Sequence, residues 1–204
     1  MQLRIFYLAA VMAAASISTP TSAEGNTGQL ACDTKELSQP TGCALAYGEL
    51  SFNVSASNSG SINQLTIQSS GLELGNPALI SEIDGSAYKS ELADLDGNGW
   101  PELYIYVSSA GSGSYGSLVA YAVNGGKSIS PIFLADLADN PEAVKGYMGH
   151  DEFAVVENGL VRRYPVYEAN DVNADPTGGT RQLQYKLQPG EAGWQLQLDR
   201  VLDY

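Results

Sequence analysis

The sequence predicts an all-β protein, an antiparallel β-sandwich or barrel of about eight or more strands with one short helix. Three observations carry this. Apolar residues recur with period two in several separate runs. Turn dipeptides fall between those runs. The composition, with 22 glycines and 12 tyrosines, favours strands and turns over a helical bundle. The 204 residues suit one domain, and 44% apolar content is enough for a core.

Taken in order, Leu50, Phe52 and Val54 alternate with polar residues, and Leu65 and Ile67 do the same. Leu103, Ile105 and Val107 face one way, with Tyr104 and Tyr106 on the other side. Leu183, Tyr185 and Leu187 alternate with Gln182, Gln184 and Lys186, and Trp194, Leu196 and Leu198 form the last run. Asn158-Gly159 between two apolar stretches is a hairpin signal. Asp84-Gly85, Asn124-Gly125-Gly126 and Pro189-Gly190 mark three more turns. Only DNPEAVKGY looks helical, with Asn140 as cap and Pro141 at the first position. Both closures, sandwich and barrel, fit this pattern.

Residues 1–23 read as a secretory leader. Arg4 is its only charge, an apolar stretch follows, and Thr21-Ser22-Ala23 offers cleavage after Ala23. The strongly apolar part is shorter than the ~20 residues a membrane helix needs. Residues 24–31 read as a loose polar tail. Residues 24–48 read as an N-terminal segment with a disulfide expected from an oxidising compartment, and 49–204 as the β domain. In an oxidising compartment Cys32 and Cys43 pair, closing a short loop that contributes about 3 kcal/mol.

The formal net charge is -13, and losing Arg4 makes the mature chain one unit more negative. That charge opposes phosphate backbones and anionic lipids, so neither nucleic acid nor a membrane surface is the expected partner. A basic protein is. One histidine and two cysteines leave little material for a zinc site.

Four motifs carry candidate chemistry. In DLDGNGWPE, Asp94, Asp96 and Asn98 alternate before Gly99, the opening of a calcium loop, and Glu102 is placed to close the shell. The twelfth position of a full EF-hand is Ile105, so that motif is incomplete. The plain alternative is a polar turn into a strand. In SSAGSGSYGS, residues 108–117, Ser112, Gly113, Ser114, Tyr115 and Gly116 have the composition of a binding loop: an aromatic anchor among small hydrogen-bonders. A flexible linker explains Gly and Ser but not the tyrosine. In GHDEF, His150, Asp151 and Glu152 form a possible acid–base set, with an exposed charged turn as the commoner explanation. Arg162, Arg163 and Arg181 read as internal ion-pair partners in so acidic a chain.

The stretch DLDGNGWPELYIYVSSAGSGSYGSLVAY, with GYMGHDEF, VENGLVRRYPVY and PTGGTRQLQYKL, resembles the bacterial periplasmic inhibitors of invertebrate-type (I-type) lysozyme, over roughly residues 88–187. The resemblance implies an all-β antiparallel fold, a periplasmic location, possible homodimers, and a loop that enters the lysozyme cleft. By the S-G-S-Y spacing it places the family's serine and tyrosine at Ser112 and Tyr115. It implies no enzyme activity and no required cofactor, so calcium at Asp94, Asp96 and Asn98 is an independent reading. The alternative is a secreted, calcium-stabilised carbohydrate-binding sandwich using Trp100 and exposed tyrosines. A glycosidase built on Asp94 or Glu152 ranks third.

Overall fold

The computed structural model describes residues 29–204, so the leader read in residues 1–23 lies outside the described residues. Thirteen strands appear among the described residues: β1 Ala31–Asp33, β2 Cys43–Tyr47, β3 Leu50–Ala56, β4 Ile62–Ser70, β5 Ala78–Asp84, β6 Ser86–Ala93, β7 Glu102–Ser108, β8 Gly116–Asn124, β9 Ser128–Leu134, β10 Glu152–Val156, β11 Gly159–Pro165, β12 Thr180–Pro189 and β13 Trp194–Asp203. Two short α-helices interrupt them, α1 Thr34–Leu37 and α2 Pro141–Val144, with a 3-10 turn at Leu137–Asp139 just before α2. A four-stranded sheet runs β2-β3-β4-β5, and a nine-stranded sheet runs β1-β6-β7-β8-β9-β13-β12-β11-β10.

The strand β7 is where the two halves of the core meet. Six of its seven residues are buried. Leu103, Ile105 and Val107 pack with Phe52, Val54, Leu65 and Ile67 of the four-stranded sheet. Tyr104 and Tyr106 point the other way, among Phe153, Leu160, Tyr164 and Leu183. Burial of each such side chain is worth about 1.5–3 kcal/mol. The tyrosine hydroxyls are satisfied by acids: Tyr106 donates to Glu91, and Tyr104 to Glu102 at 3.4 Å.

The second core exists because the nine-stranded sheet coils on itself. Its last strand β10 comes back over β7, so that Phe153 stacks on Tyr106 with ring centroids 5.6 Å apart. Side chains from β6 cover the free edge of β10. Phe153 N donates to Tyr88 Oη at 3.2 Å and Val155 N to Glu91 Oε1 at 2.7 Å. A sandwich on one side of β7 and a half-barrel on the other thus combine the two closures that the pattern allowed.

Pairing departs from a purely antiparallel plan at one place. β13 lies parallel to β9 over Trp194–Leu196 against Ile132–Leu134. The reason is the long return of the chain through β10, β11 and β12, which brings β13 alongside β9 in the same direction. The expected hairpin joins β10 and β11, but Gly159 pairs with Val156, so the two turn residues are Glu157 and Asn158, one position earlier than the Asn-Gly signal. The predicted helix is correct in its cap: Asn140 Oδ1 accepts from Glu142 and Ala143 N, with Pro141 at the start. It spans only Pro141–Val144, and the capped turn α1 was not read from the sequence.

Cys32 and Cys43 form a disulfide with Cα atoms 6.3 Å apart. It ties β1 in one sheet to β2 in the other. Residues 29–31 are not a loose tail: Leu30 O accepts from Leu92 N, and Gln29 O from Ala46 N. Cys32, Leu37, Cys43 and Leu45 are core residues, so the N-terminal segment is built into both sheets. No helix among the described residues is long and apolar enough to cross a membrane.

Candidate functional site

Strands β7 and β8 end in register at Ser108 and Gly116, and the Ser-Gly-Ser-Tyr loop is what lies beyond. It is tied at its neck. Ser109 N donates to Tyr115 O and Tyr115 N to Ser109 Oγ, both at 2.9 Å. At the tip Ser114 N donates to Gly111 O at 3.3 Å, with Ser114 at φ 43°. Ser112 is exposed, Gly113, Ser114 and Gly116 are half-buried, and Tyr115 is 49% exposed.

The glycines serve inward packing. A Cβ on Gly113 would lie 2.5 Å from Cε2 of Tyr115, so the tyrosine ring rests over that glycine. A Cβ on Gly116 would lie 2.5 Å from Cβ of Asp151. The same ring meets Tyr147 edge-on at 5.6 Å, and Tyr147 meets Tyr164 at 4.8 Å. The direction of the Tyr115 ring is therefore set by contacts within the chain.

A second segment, 147–151, holds the loop from behind. His150 N donates to Gly113 O at 2.6 Å. A Cβ on Gly149 would lie 2.0 Å from that oxygen, so only glycine fits there. Asp151 Oδ2 accepts from Gly116 N at 2.7 Å and from Tyr147 Oη at 2.6 Å. Its other oxygen accepts from Arg162 Nε at 2.6 Å, with side-chain exposures of 7% for the arginine and none for the aspartate. Arg162 also donates to Tyr147 Oη at 2.9 Å and lies over the Tyr147 and Phe153 rings. Burial works against the Arg162 charge, but the Asp151 hydrogen bond and charge outweigh it and raise its pKa. Burial, then the bond to Asp151, raises that of Tyr147.

The loop Glu168–Thr177 flanks the tip on the outside. Asp171 accepts from Glu168 N and Thr177 N, both at 2.7 Å, which fixes that loop and lowers the Asp171 pKa. Asn173 Nδ2 then donates to Ser112 O at 3.0 Å, and Asn173 Oδ1 sits 3.3 Å from His150 Nε2.

The structure thus gathers two motifs that the sequence listed separately. His150, Asp151 and Arg162 belong to the setting of Ser112–Gly116. As an acid–base set the GHDEF residues do not converge: Asp151 spends both oxygens on structural bonds, and Glu152 is exposed on β10 opposite Arg163. The arginines behave largely as read. Arg162 pairs with Asp151, and Arg181 holds Asp203 with two bonds while donating to Glu142 O and Lys145 O. Arg163 differs, donating to the neutral amide of Gln182 at 2.6 Å. Tyr147, Gly149 and Asn173 were missed. Their role depends on contacts with residues far along the chain, and no local pattern marks it.

The acidic loop lies elsewhere. Asp94 and Asp96 accept backbone N–H groups of Asn98 and Gly99 at 2.8–3.0 Å, and Asn98 Oδ1 accepts from Trp100 N at 2.7 Å. The Asp94, Asp96 and Glu102 carboxylates offer oxygens within 4.8 Å of one another. Glu102 is buried and takes Leu95 N at 2.8 Å, and burial beside two acids pushes its pKa up to about 8. Trp100 packs on the turn at Gly126, where a Cβ would lie 2.5 Å from the indole. A groove of about 340 Å³ runs beside the Ser112–Gly116 loop, walled by Tyr115, Leu118, Leu134, Leu137 and Tyr147. No protein family, curated protein or solved structure matches the chain.

Proposed function

We propose that this chain is an exported, periplasmic inhibitor of lysozyme, of the I-type, that blocks the active-site cleft with the loop Ser112–Gly116. The observation that carries the reading is the loop itself. It is uncharged, it presents Ser112 and Tyr115 outward, and it is held in one conformation by Asp151, Tyr147 and Arg162. A lysozyme cleft holds two carboxyl groups, one protonated and one ionised. A competitor for that cleft should offer hydroxyl donors and bring no carboxylate. Ser112, Ser114 and Tyr115 do so. A rigid aromatic held among small polar residues loses little entropy on docking. The resemblance of residues 88–187 to I-type lysozyme inhibitors points the same way.

The surrounding charge suits a basic partner. Glu168, Asp171 and Asp175 lie on the loop that touches Ser112, and no Lys or Arg occurs between residues 164 and 180. The mechanism asks for no metal or cofactor, because nothing in it is covalent. The alternative, a calcium-stabilised carbohydrate-binding sandwich, has the Asp94, Asp96 and Glu102 cluster in its favour. Trp100 packs part of its indole on Gly126 while remaining 37% exposed, so it stays the aromatic on which that alternative would rest.

A bacterial lysis assay with I-, C- and G-type lysozymes tests the reading. Stoichiometric protection against the I-type enzyme is expected. Sugar binding with no effect on any lysozyme would replace it with the alternative.

A further inference from the structure

The recognition loop rests on a charged pair that a hydrophobic core does not need. Asp151 and Arg162 are buried together, with side-chain exposures of 0% and 7%. Taking two charges out of water costs several kcal/mol each, and apolar replacements of similar volume are often as stable or more so. Stability alone is therefore a poor reason for the pair. Its geometry suggests another. Three bonds converge on the Asp151 carboxylate: Arg162 Nε on one oxygen, Gly116 N and Tyr147 Oη on the other. The Arg162 guanidinium then reaches Tyr147 Oη at 2.9 Å and the Gly116 carbonyl at 3.5 Å. Both peptide groups of Gly116 and the ring that backs Tyr115 are thus fixed by the one ion pair.

We infer that Asp151 and Arg162 are positioning residues for partner recognition: they hold the Ser112–Gly116 loop in its binding conformation, and the pair is kept for that and not for stability. The inference rests on the proposed function for its partner, but the ordering of the loop stands independently of it. Asp151 itself touches no partner, since its side chain is wholly covered. A chain that holds the loop in the competent form only part of the time binds more weakly by that fraction.

The test uses the full chain and the double variant D151N/R162Q, which removes both charges: Asn keeps the shape of Asp151, while the shorter Gln places its amide no further than the Arg162 Nε and gives up the Nη2 contacts with Tyr147 Oη and the Gly116 carbonyl. Three readouts are compared with wild type: thermal unfolding, backbone NMR order at Gly113–Gly116, and inhibition of an I-type lysozyme. The expected result is a small change in Tm, loss of order confined to the loop while β7 and β8 stay protected, and inhibition weaker by roughly tenfold or more. Unchanged loop order, or inhibition within about twofold of wild type, overturns the inference. Should the double variant fail to fold, wild-type amide exchange decides. Gly116 N–H, at the base of a half-exposed loop, is expected to exchange as slowly as the β7–β8 ladder, and fast exchange there overturns the inference. Loop order is read without lysozyme, so a wild-type chain that fails to inhibit any lysozyme would sink the proposed function and leave this result standing.

Discussion

The carboxylate of Asp151 accepts the amide hydrogen of Gly116 at 2.7 Å, across 35 residues of chain. That bond fixes the residue following Tyr115, and the Tyr115 ring lies edge-on to Tyr147 as a result. The proposed binding loop is a shaped surface, and its parts make separable predictions.

Tyr115→Ala removes the anchor and is expected to weaken lysozyme inhibition by about 2 kcal/mol or more, because a central aromatic commonly contributes that much. Tyr115→Phe keeps the ring against Tyr147 and should lose less. Ser112→Ala should cost about 1–3 kcal/mol if its hydroxyl meets a buried cleft carboxyl. Inhibition constants and melting curves for each variant check this; full inhibition by the Ser112/Tyr115 double alanine variant would sink the loop mechanism.

The Cys32–Cys43 bond joins the two sheets, and neither cysteine belongs to the 108–117 loop or contacts it through a hydrogen bond. Reduction should remove about 3 kcal/mol of stability by freeing a short loop in the unfolded chain. Inhibition should survive at temperatures below the lowered Tm. Thiol titration of the native protein should find no free cysteine, and two reactive thiols would contradict the structure.

Glu102 sets a pH dependence. Burial, then the nearby Asp96 and Asp94 charges, raise its pKa from 4.5 to about 8. Between these values the folded chain keeps the proton that the unfolded chain has released. The Glu102 contribution to stability therefore falls as pH rises through that window, and its penalty is complete above about pH 8. Glu102→Gln retains an acceptor for Leu95 N and should lose less stability than wild type between pH 5 and pH 8. Melting curves across that range, in chelator, decide; parallel curves for the two proteins would contradict the assignment.

Salt should act on arrival more than on departure. Raising ionic strength from about 0.01 to 0.15 M shortens the Debye length from ~30 to ~8 Å. The on-rate for a basic lysozyme should fall while the off-rate changes little, since the inserted loop is neutral. Glu168→Gln with Asp175→Asn, on the loop whose Asn173 reaches Ser112, should slow association more than the charge-matched pair Glu82→Gln with Asp84→Asn on β5. Equal slowing by both pairs would mean that net charge alone steers the encounter.

Much of the fold was legible because period two marks half-buried strands directly. Leu50, Phe52 and Val54, or Leu183, Tyr185 and Leu187, announce which face is inward. On β7 the split of Leu103, Ile105 and Val107 from Tyr104 and Tyr106 was also readable, although not that each face meets its own core. The parallel contact of β13 with β9 and the coiling of β10 over β7 were not, since they follow from long-range packing. At the site, Ser112 to Gly116 stood out by composition. Asp151 and Arg162 stood out only as charges; their joint hold on Gly116 depends on a fold that brings together three distant stretches of chain.

The central claim is that the Ser112–Gly116 loop occupies the substrate cleft. Competition tests it most directly: binding of the purified protein to I-type lysozyme, measured with rising concentrations of an N-acetylglucosamine oligomer that fills the cleft. If the loop fills the cleft, the oligomer raises the apparent Kd linearly with its concentration, by a factor of one plus the ratio of that concentration to its own Kd and without levelling off, and residual binding by the Ser112/Tyr115 double alanine variant is weak throughout. Tight binding that the oligomer leaves unchanged would contradict it.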